Sequence, residues 1–506
     1  MPMRNTNRDG RGNALRLPWG ALRNTNRDGR GNALRLPWGA LRNTNRDGRG
    51  NALRLPWGPD NTNSNHTHKI NVCVPITGFP ITGGMRAVLA SIEAVTKDIW
   101  QLEYLTQRVG PEPDGFIISR FGASFMSPWQ FPLVWLYSLA GVRKLLSLMR
   151  RGASYRLILP QDGVFTAAFA GVAGKIMGVR VVCIDHGNLT LLKSQTYRME
   201  RSRALAAKSW PRRMLERLLL LAYWPSLYLL ASIAAHTVDY YMVPGVEGDG
   251  VETICAQLGI PRNRVMRFAS MIDVNAYPLL SAIEKASLRE KADLSPDALV
   301  VALVCRLSPE KGVEIALKAI AQALAQVTPE KRAQVRIIIA GAGPLESQVR
   351  DLINRSGLGR NCVMWGELPP AGVKSLLSIS DIFLYTSIRG ACISMAVLEA
   401  MASGCAVIAS TQPLSNQYLL AEGRGIAVPA GDVEATAKAL LRLLQEPHLS
   451  RRMGVLARAY VAVQHSPASF RKALLQAAGG IVGGETTSVE EGTDMSASPY
   501  ELEHAQ

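Results

Sequence analysis

Beyond residue 68 the chain alternates between short unbroken apolar runs and longer stretches with helical spacing. The run Ile70 to Pro75 (INVCVP) reads as a buried strand. Two more follow at Arg156 to Pro160 and Val179 to Asp185, with a small-residue helix from Val164 to Met177 between them. The second half repeats the rhythm. Strands are predicted at Ala298 to Val304, Val335 to Ala340, Asn361 to Trp365, Ile382 to Tyr385 and Ala406 to Ala409, the last closing the core set. Helices fit between them at Val313 to Gln326, Leu345 to Arg355, Ala371 to Ser378 and Met395 to Ala402. Strands alternating with helices imply parallel, doubly wound sheets, so the fold class is α/β.

The same pattern divides the chain. Residues 1–66 are three near-identical blocks, RNTNRDGRGNALRLPWG, starting at Arg4, Arg23 and Arg42 with a 19-residue period, and a polar stretch after them. This period is too short and too polar for a stacked helical repeat, so the segment is expected to be disordered. Residues 67–277 form the expected first domain. Residues 278–297, a charged helical stretch ending at Pro296, form a linker. Residues 298–478 form the second domain with its closing helices, and 479–506 an acidic, disordered tail.

Charge sharpens this picture. The formal net charge is +17, and each N-terminal block carries four Arg and one Asp, whereas the tail after Leu475 has six carboxylates and no Lys or Arg. The folded body is therefore basic and suited to anionic partners: nucleotide diphosphates, anionic lipid surfaces or nucleic acid. An Arg-rich nucleic-acid arm is the competing reading of the blocks. The seven cysteines, at 73, 183, 255, 305, 362, 392 and 405, form no CxxC pair and lie mostly in apolar runs. They read as buried reduced thiols in a cytoplasmic protein, and no metal site is expected from them.

Two stretches raise the question of membranes. Leu218 to Ala235 is uncharged for 18 residues but contains Pro225 and lies inside a doubly wound domain. A buried or interfacial helix is expected there rather than a span. Phe131 to Arg151 places Arg143, Lys144, Arg150 and Arg151 beside Leu and Trp, which fits either an interfacial helix or one packed on its own sheet.

Three segments carry candidate chemistry. Cys305-Arg306-Leu307-Ser308-Pro309-Glu310-Lys311-Gly312 follows a strand directly, where doubly wound sheets bind ligands. Arg306 supplies a planar fork and Lys311 a point charge for phosphate oxygens; a solvated basic turn is the alternative. Gly341-Ala342-Gly343-Pro344 is a second strand-end turn, explained equally by close ligand approach or by a tight turn. Thr386 to Gly404 runs from a polar loop into a helix whose free N–H groups suit an anion. Inside that apolar helix Glu399 needs a partner, either a ribose diol or an internal ion pair.

Together, in this order, these segments resemble glycosyltransferase family 4, whose members show G-R-L-x-x-x-K-G, then G-x-G-P, then an E-x7-E element ending in E-A-M-A-x-G. Arg306, Lys311, Gly341 to Pro344 and Glu399 to Gly404 carry the likeness, strongly over about 298–445 and more weakly over 70–275 through Gly83, Gly84, Asp162, His186 and Gly187. The resemblance implies a GT-B fold of two facing Rossmann-like domains. It implies a retaining, metal-independent enzyme with no cofactor, and the absence of an Asp-x-Asp motif agrees. Arg306 and Lys311 would hold the donor diphosphate, and Glu399 the ribose. Gly83 and Gly84 would approach phosphate and acceptor, and His186 would line the cleft near the transferred sugar. Gly341, Gly343, Ala391, Cys392, Ile393 and Ser394 would complete the donor site.

Three positions depart from the family. Ala391 stands where the first Glu of E-x7-E belongs. Ala269 to Asp273 replaces P-N-G-V-D, and Gln412 to Asn416 replaces G-G-x-x-E. The expected function is sugar transfer from a UDP- or GDP-linked donor to a glycan or lipid-linked glycan in surface polysaccharide synthesis. A catalytically weakened nucleotide-sugar-binding or scaffold protein is the alternative. Nucleic acid is not an expected partner. The expected location is the cytoplasm, with peripheral contact at the inner membrane face allowed by the basic, apolar first domain.

Overall fold

A computed structural model describes residues 69–77, 83–107, 117–121, 134–186, 189, 210–245, 251–390, 393–482 and 485–486 of the 506. The N-terminal blocks, Gly187, Ala391, Cys392 and nearly all of the acidic tail lie outside the described residues.

The first half builds a seven-stranded parallel sheet in the order β3-β2-β1-β4-β5-β6-β7. Its strands are β1 (Ile70–Ile76), β2 (Trp100–Thr106), β3 (Ile117–Arg120), β4 (Tyr155–Ile158), β5 (Arg180–Ile184), β6 (Tyr240–Pro244) and β7 (Val265–Phe268). The second half builds a six-stranded parallel sheet in the order β10-β9-β8-β11-β12-β13. Its strands are β8 (Leu299–Val304), β9 (Val335–Ala340), β10 (Cys362–Gly366), β11 (Ile382–Tyr385), β12 (Ala406–Ser410) and β13 (Gly425–Val428). In both sheets the strand order reverses beside the first strand, at β1/β4 and at β8/β11. Such switch points open a crevice at the strand C-termini.

Both sheets are covered on both faces, which is why their strands read as continuous apolar runs. Alternate residues divide between two cores: Val300 and Ala302 face one, Val301 and Leu303 the other. In β1, Val72 and Val74 point opposite to Cys73. The strands and helices of the alternating pattern are present within a residue or two of their predicted bounds.

In the two large sheets five strands went unpredicted, β2, β3, β6, β7 and β13, and at the start of the tail expected to be disordered Ile481–Val482 pairs antiparallel with Glu485–Thr486. Strand β13 extends the second sheet beyond Ala406 to Ala409, so β12 does not close the set. In β2 the apolar run is broken by Gln101 and Glu103; the Glu103 carboxylate accepts from Ser119 Oγ at 2.8 Å and Tyr155 Oη at 2.5 Å. In β6 a buried strand follows a long apolar helix, so its start is hidden in the hydropathy pattern.

The helix Ala282–Lys291, read in sequence as linker, is docked on the second sheet. Ser281 and Glu284 form its capping box, and Lys285 and Arg289 pair with Asp381 at 2.8 and 2.6 Å. The last helix, Pro467–Ala477, returns to the first half. Its Phe470, Leu474 and Ala477 join the core that holds β1, β4 and β6, with Phe470 at 5.7 Å from Phe268 between ring centroids. Arg471 also reaches Asp98 through two contacts, at 2.7 and 2.8 Å.

The long apolar stretch forms the helix Trp210–Thr237, with Pro225 inside it. Tyr223, Leu230, Ala231 and Ala234 are buried in the core shared with the helix Phe165–Met177. Among the described residues no helix is long and apolar enough to cross a membrane. The helix Val134–Arg150 buries Val134, Tyr137, Ser138, Gly141 and Leu145, and leaves Trp135 and Leu139 exposed on its outer side. Of the cysteines, 73, 183, 255, 362 and 405 are buried, Cys305 is half-buried, and none of these six is in a disulfide.

Candidate active site

The second sheet's switch point lies between β8 and β11, and the loops leaving these strands hold the charged candidates. The loop after β8 carries Arg306 and Lys311. Arg306 Nη2 donates to Glu310 at 2.6 Å and its Nε to Ser308 Oγ at 3.2 Å, while Ser308 Oγ donates to the same Glu310 oxygen at 2.5 Å. Burial alone would raise the Glu310 carboxyl, but these donors win and hold it down at about 2. Glu310 is therefore an anion across the working pH range, and it fixes the exposed guanidinium of Arg306 in one orientation. The Lys311 ammonium lies 5.7 Å from the centre of the Tyr385 ring.

Backbone contacts knit this loop to its neighbours. The Glu310 carbonyl accepts from Ile388 N at 3.0 Å and from Ser387 Oγ at 2.9 Å, and the Gly312 carbonyl accepts from Thr386 Oγ1 at 2.9 Å. Gly341 and Gly343 approach the Arg306 loop from the other side. A Cβ at Gly341 would overlap the Cys305 carbonyl oxygen and lie 2.9 Å from its carbon. One at Gly343 would lie 2.7 Å from the Leu307 carbonyl carbon. Both directions are filled by the protein's own backbone, which is the reason these positions must be glycine; the sequence reading had left open a ligand in that role. Leu307 N donates to Ala342 O at 2.9 Å, which ties the turn to the Arg306 loop.

Past β11 the chain leaves the described residues at Ala391 and Cys392, then enters the helix Met395–Ala402 through Ile393 and Ser394. Ser394 occupies the N-cap without a side-chain cap, so the first N–H groups of this helix have no capping side chain. Glu399 projects from the helix and accepts from Tyr277 Oη at 3.2 Å. Burial raises its carboxyl above the usual range, opposed by the Tyr277 hydrogen bond and the Lys374 charge. Lys374 lies 4.8 Å from the Tyr277 ring centre. Tyr277 is itself set by Arg458, whose Nη1 donates to the Tyr277 carbonyl at 2.6 Å and whose Nη2 donates to that of Val274 at 3.1 Å. The partner of Glu399 within the protein is thus a phenol rather than a paired cation. Tyr277 and Lys374 escaped the sequence reading because they lie 122 and 25 positions away from Glu399 in the chain.

In the first sheet, Gly83 and Gly84 begin the helix Gly83–Thr96 after β1. The loop after β4 holds Gln161 and Asp162. Asp162 is buried and accepts from the N–H groups of Val164, Phe165 and Thr166 and from Thr166 Oγ1, so it holds the N-terminus of the helix Phe165–Met177. His186 follows β5, and its Nε2 lies 3.0 Å from Gln161 Oε1. Burial pushes its imidazole down to about 4, so it is neutral.

Both sheets therefore carry their candidate residues at strand C-termini around a switch point. Residues 284–460 match the family described as Glycosyl transferases group 1. Among curated proteins, the chain is 26% identical over 263 residues to a GDP-mannose-dependent monoacylated alpha-(1-6)-phosphatidylinositol monomannoside mannosyltransferase of Corynebacterium glutamicum. That match covers 47% of this chain and 66% of that protein. It is 28% identical over 207 residues to the Alpha-D-kanosaminyltransferase of Streptomyces kanamyceticus, covering 41% and 52% respectively. The chain thus spans between half and two thirds of the length of these relatives.

Solved structures agree on the fold. Anabaena Alr3699/HepE in complex with UDP superposes with a TM-score of 0.59 at 18% identity over 80% of this chain and 98% of that one. WaaG, a glycosyltransferase involved in lipopolysaccharide biosynthesis, gives 0.57 at 14% identity over 82% of this chain and 100% of that one. The architecture is GT-B, the fold that the family 4 resemblance implies: two parallel α/β sheets in one chain.

Proposed function

We propose that the chain is a glycosyltransferase that moves a sugar from a nucleotide-sugar donor to a glycan or lipid-linked glycan acceptor, with retention and without a metal. One observation carries the reading. Arg306 and Lys311 stand on the loop after β8, hydrogen-bonded through the Glu310 carbonyl to the loop that enters the uncapped helix bearing Glu399. Two cations, a helix N-terminus without a side-chain cap and one carboxylate, all on segments that follow β8 and β11, support the reading. Such a set suits a diphosphate with an attached ribose. The mannosyltransferase relative is named for GDP-mannose and the Anabaena structure for UDP, which supports the donor class and leaves the base open.

In this reading Arg306, Lys311 and the helix N–H groups stabilise negative charge as it develops on the departing diphosphate. The acceptor hydroxyl attacks the anomeric carbon from the face the diphosphate leaves, and a phosphate oxygen takes its proton. Glu399, already desolvated, exchanges the Tyr277 hydroxyl for the ribose hydroxyls at modest cost.

The test is transfer and binding with UDP-, GDP- and ADP-sugars. Arg306→Ala and Lys311→Ala are expected to lower turnover by roughly 100-fold or more, the scale of losing one charge-stabilising group. Turnover unchanged in both variants would refute the diphosphate assignment.

Ala391 favours a second reading, a nucleotide-sugar-binding protein with weakened catalysis. A wild type that binds donor without turnover, and an Ala391→Glu variant that gains it, would select that reading. The exposed Trp135, Leu139 and Arg143, at successive turns of one helix, support peripheral contact with an anionic membrane at the cytoplasmic face. Co-sedimentation with anionic vesicles that survives Trp135→Ser with Leu139→Ser would rule this face out.

A further inference from the structure

His186 and Gln161 form a pair whose hydrogen-bonding sense can be derived. Gln161 is fully buried, and its Nε2 donates to the Leu159 carbonyl at 3.0 Å. A carbonyl only accepts, so the amide group is pinned with its NH2 toward Leu159 and its oxygen toward His186. Gln161 Oε1 likewise only accepts, so the imidazole nitrogen 3.0 Å away must carry the proton. That nitrogen is Nε2. A neutral ring holds one proton, which leaves Nδ1 a bare lone pair. Burial keeps the ring neutral by pushing it down to about 4. The carboxylates on the same two loops, Asp162 and Asp185, are turned into the backbone. Asp162 takes the N–H groups of residues 164–166, and Asp185 takes those of Gly163 and Leu189. No other hydrogen bond reaches His186 among the described residues.

We infer that Gln161 is a positioning residue that fixes the tautomer of His186, so that Nδ1 is presented as an acceptor for a hydroxyl of the sugar substrate. The inference rests on the glycosyl-transfer reading for its ligand, but the tautomer itself follows from the protein alone. An acceptor at this point suits a neutral hydroxyl and opposes a carboxylate, which has no proton to donate. On the glycosyl-transfer reading, the group that meets Nδ1 is a hydroxyl of the sugar. Without Gln161 the ring would populate both tautomers, and in one of them Nδ1 carries a proton and no longer accepts.

The test is a long-range proton–nitrogen correlation spectrum of the full-length protein with labelled histidine, in the absence of any sugar. His186 is assigned among the seven histidines by its loss in His186→Asn. A single neutral tautomer with the proton on Nε2, persisting from pH 7.5 to 5.5, is expected. The proton on Nδ1, an even mixture, or a midpoint near the ordinary value of about 6.5 would overturn the inference. In Gln161→Leu the second tautomer should appear, and its absence there would count against the role. Should that variant not fold, Gln161→Glu keeps an acceptor in place and adds a charge. It should raise the His186 midpoint by roughly one to three pH units, as a carboxylate at hydrogen-bond distance does. An unmoved midpoint would also overturn the pairing. Because no nucleotide sugar enters these spectra, their failure leaves the Arg306 and Lys311 tests standing, and failure of those leaves the tautomer standing.

Discussion

Replacing Gly341 by alanine tests whether the glycine-rich turn serves the protein's own backbone. Gly341 has φ +141°, a conformation that side chains rarely adopt, and its Cβ direction is filled by the Cys305 carbonyl. Two costs add. Backbone strain of this kind costs about 1–3 kcal/mol, and forcing atoms into a filled space costs about 1–3 kcal/mol more. The expected destabilisation is therefore roughly 2–6 kcal/mol. A domain of this size loses about 2–4 °C of Tm per kcal/mol, so Gly341→Ala should melt on the order of 5–20 °C below wild type.

Gly178 supplies the internal control. It ends the helix Phe165–Met177 at φ +64° with nothing within 4 Å of a Cβ, so its replacement brings strain without collision. Gly178→Ala should cost only about 1–2 kcal/mol. The assay is thermal unfolding of both variants followed by circular dichroism, with UDP and GDP titrations beside it. Since the displaced peptide belongs to the Arg306 loop, Gly341→Ala should also weaken nucleotide binding, and Gly178→Ala should not. Equal losses of stability in the two variants would show that the Cys305 contact adds nothing and would refute the reasoning.

Other consequences can be measured the same way. The Glu399 carboxyl is raised by burial, so its protonated form suits the fold: stability from this site is present below the ordinary carboxylate value and is lost as pH rises through the raised one. Glu399→Gln should therefore match or exceed wild-type Tm at pH 8, with the difference vanishing near pH 4, while nucleotide affinity falls about tenfold, the scale of one hydrogen bond to a charged group. A variant less stable at pH 8 would contradict the assignment of burial as the dominant cause. Phe470→Ala should destabilise the first half by about 3–5 kcal/mol, the usual cost of emptying a buried aromatic site. Asp98→Asn, which loosens a mostly exposed ion pair on the same helix, should cost under about 1 kcal/mol. Urea unfolding of the two variants checks the contrast.

Much of the fold was legible in the sequence because parallel strands buried on both faces leave an unambiguous trace. The β8, β9, β11 and β12 runs were found within a residue because each is apolar on both faces. β13 and β3 were not, since four residues at a sheet edge leave little periodicity to detect. The site was legible where its residues are close in sequence. Arg306 and Lys311 stand on one loop, and their spacing suggests a diphosphate site, with a solvated basic turn as the alternative. The sequence assigns Glu310 no role, because only the folded loop turns its carboxylate onto the guanidinium beside it.

What the sequence determined by itself is local: which segments are strands or helices, which loops carry charge, and that Glu399 sits in an apolar helix and requires a partner. What that partner is could be decided only by the tertiary structure. Chain folding brings Tyr277 from the crossing between the two sheets, and Gln161 to His186 from a neighbouring strand end. The same holds for the helix Pro467–Ala477, whose amphipathic pattern shows that it must bury one face but not which sheet it covers. The physical reason is common to all three. Hydropathy and hydrogen-bonding need are properties of a residue and are written in the chain, whereas the group that satisfies them is chosen by topology, and a doubly wound fold brings together residues separated by tens to hundreds of positions.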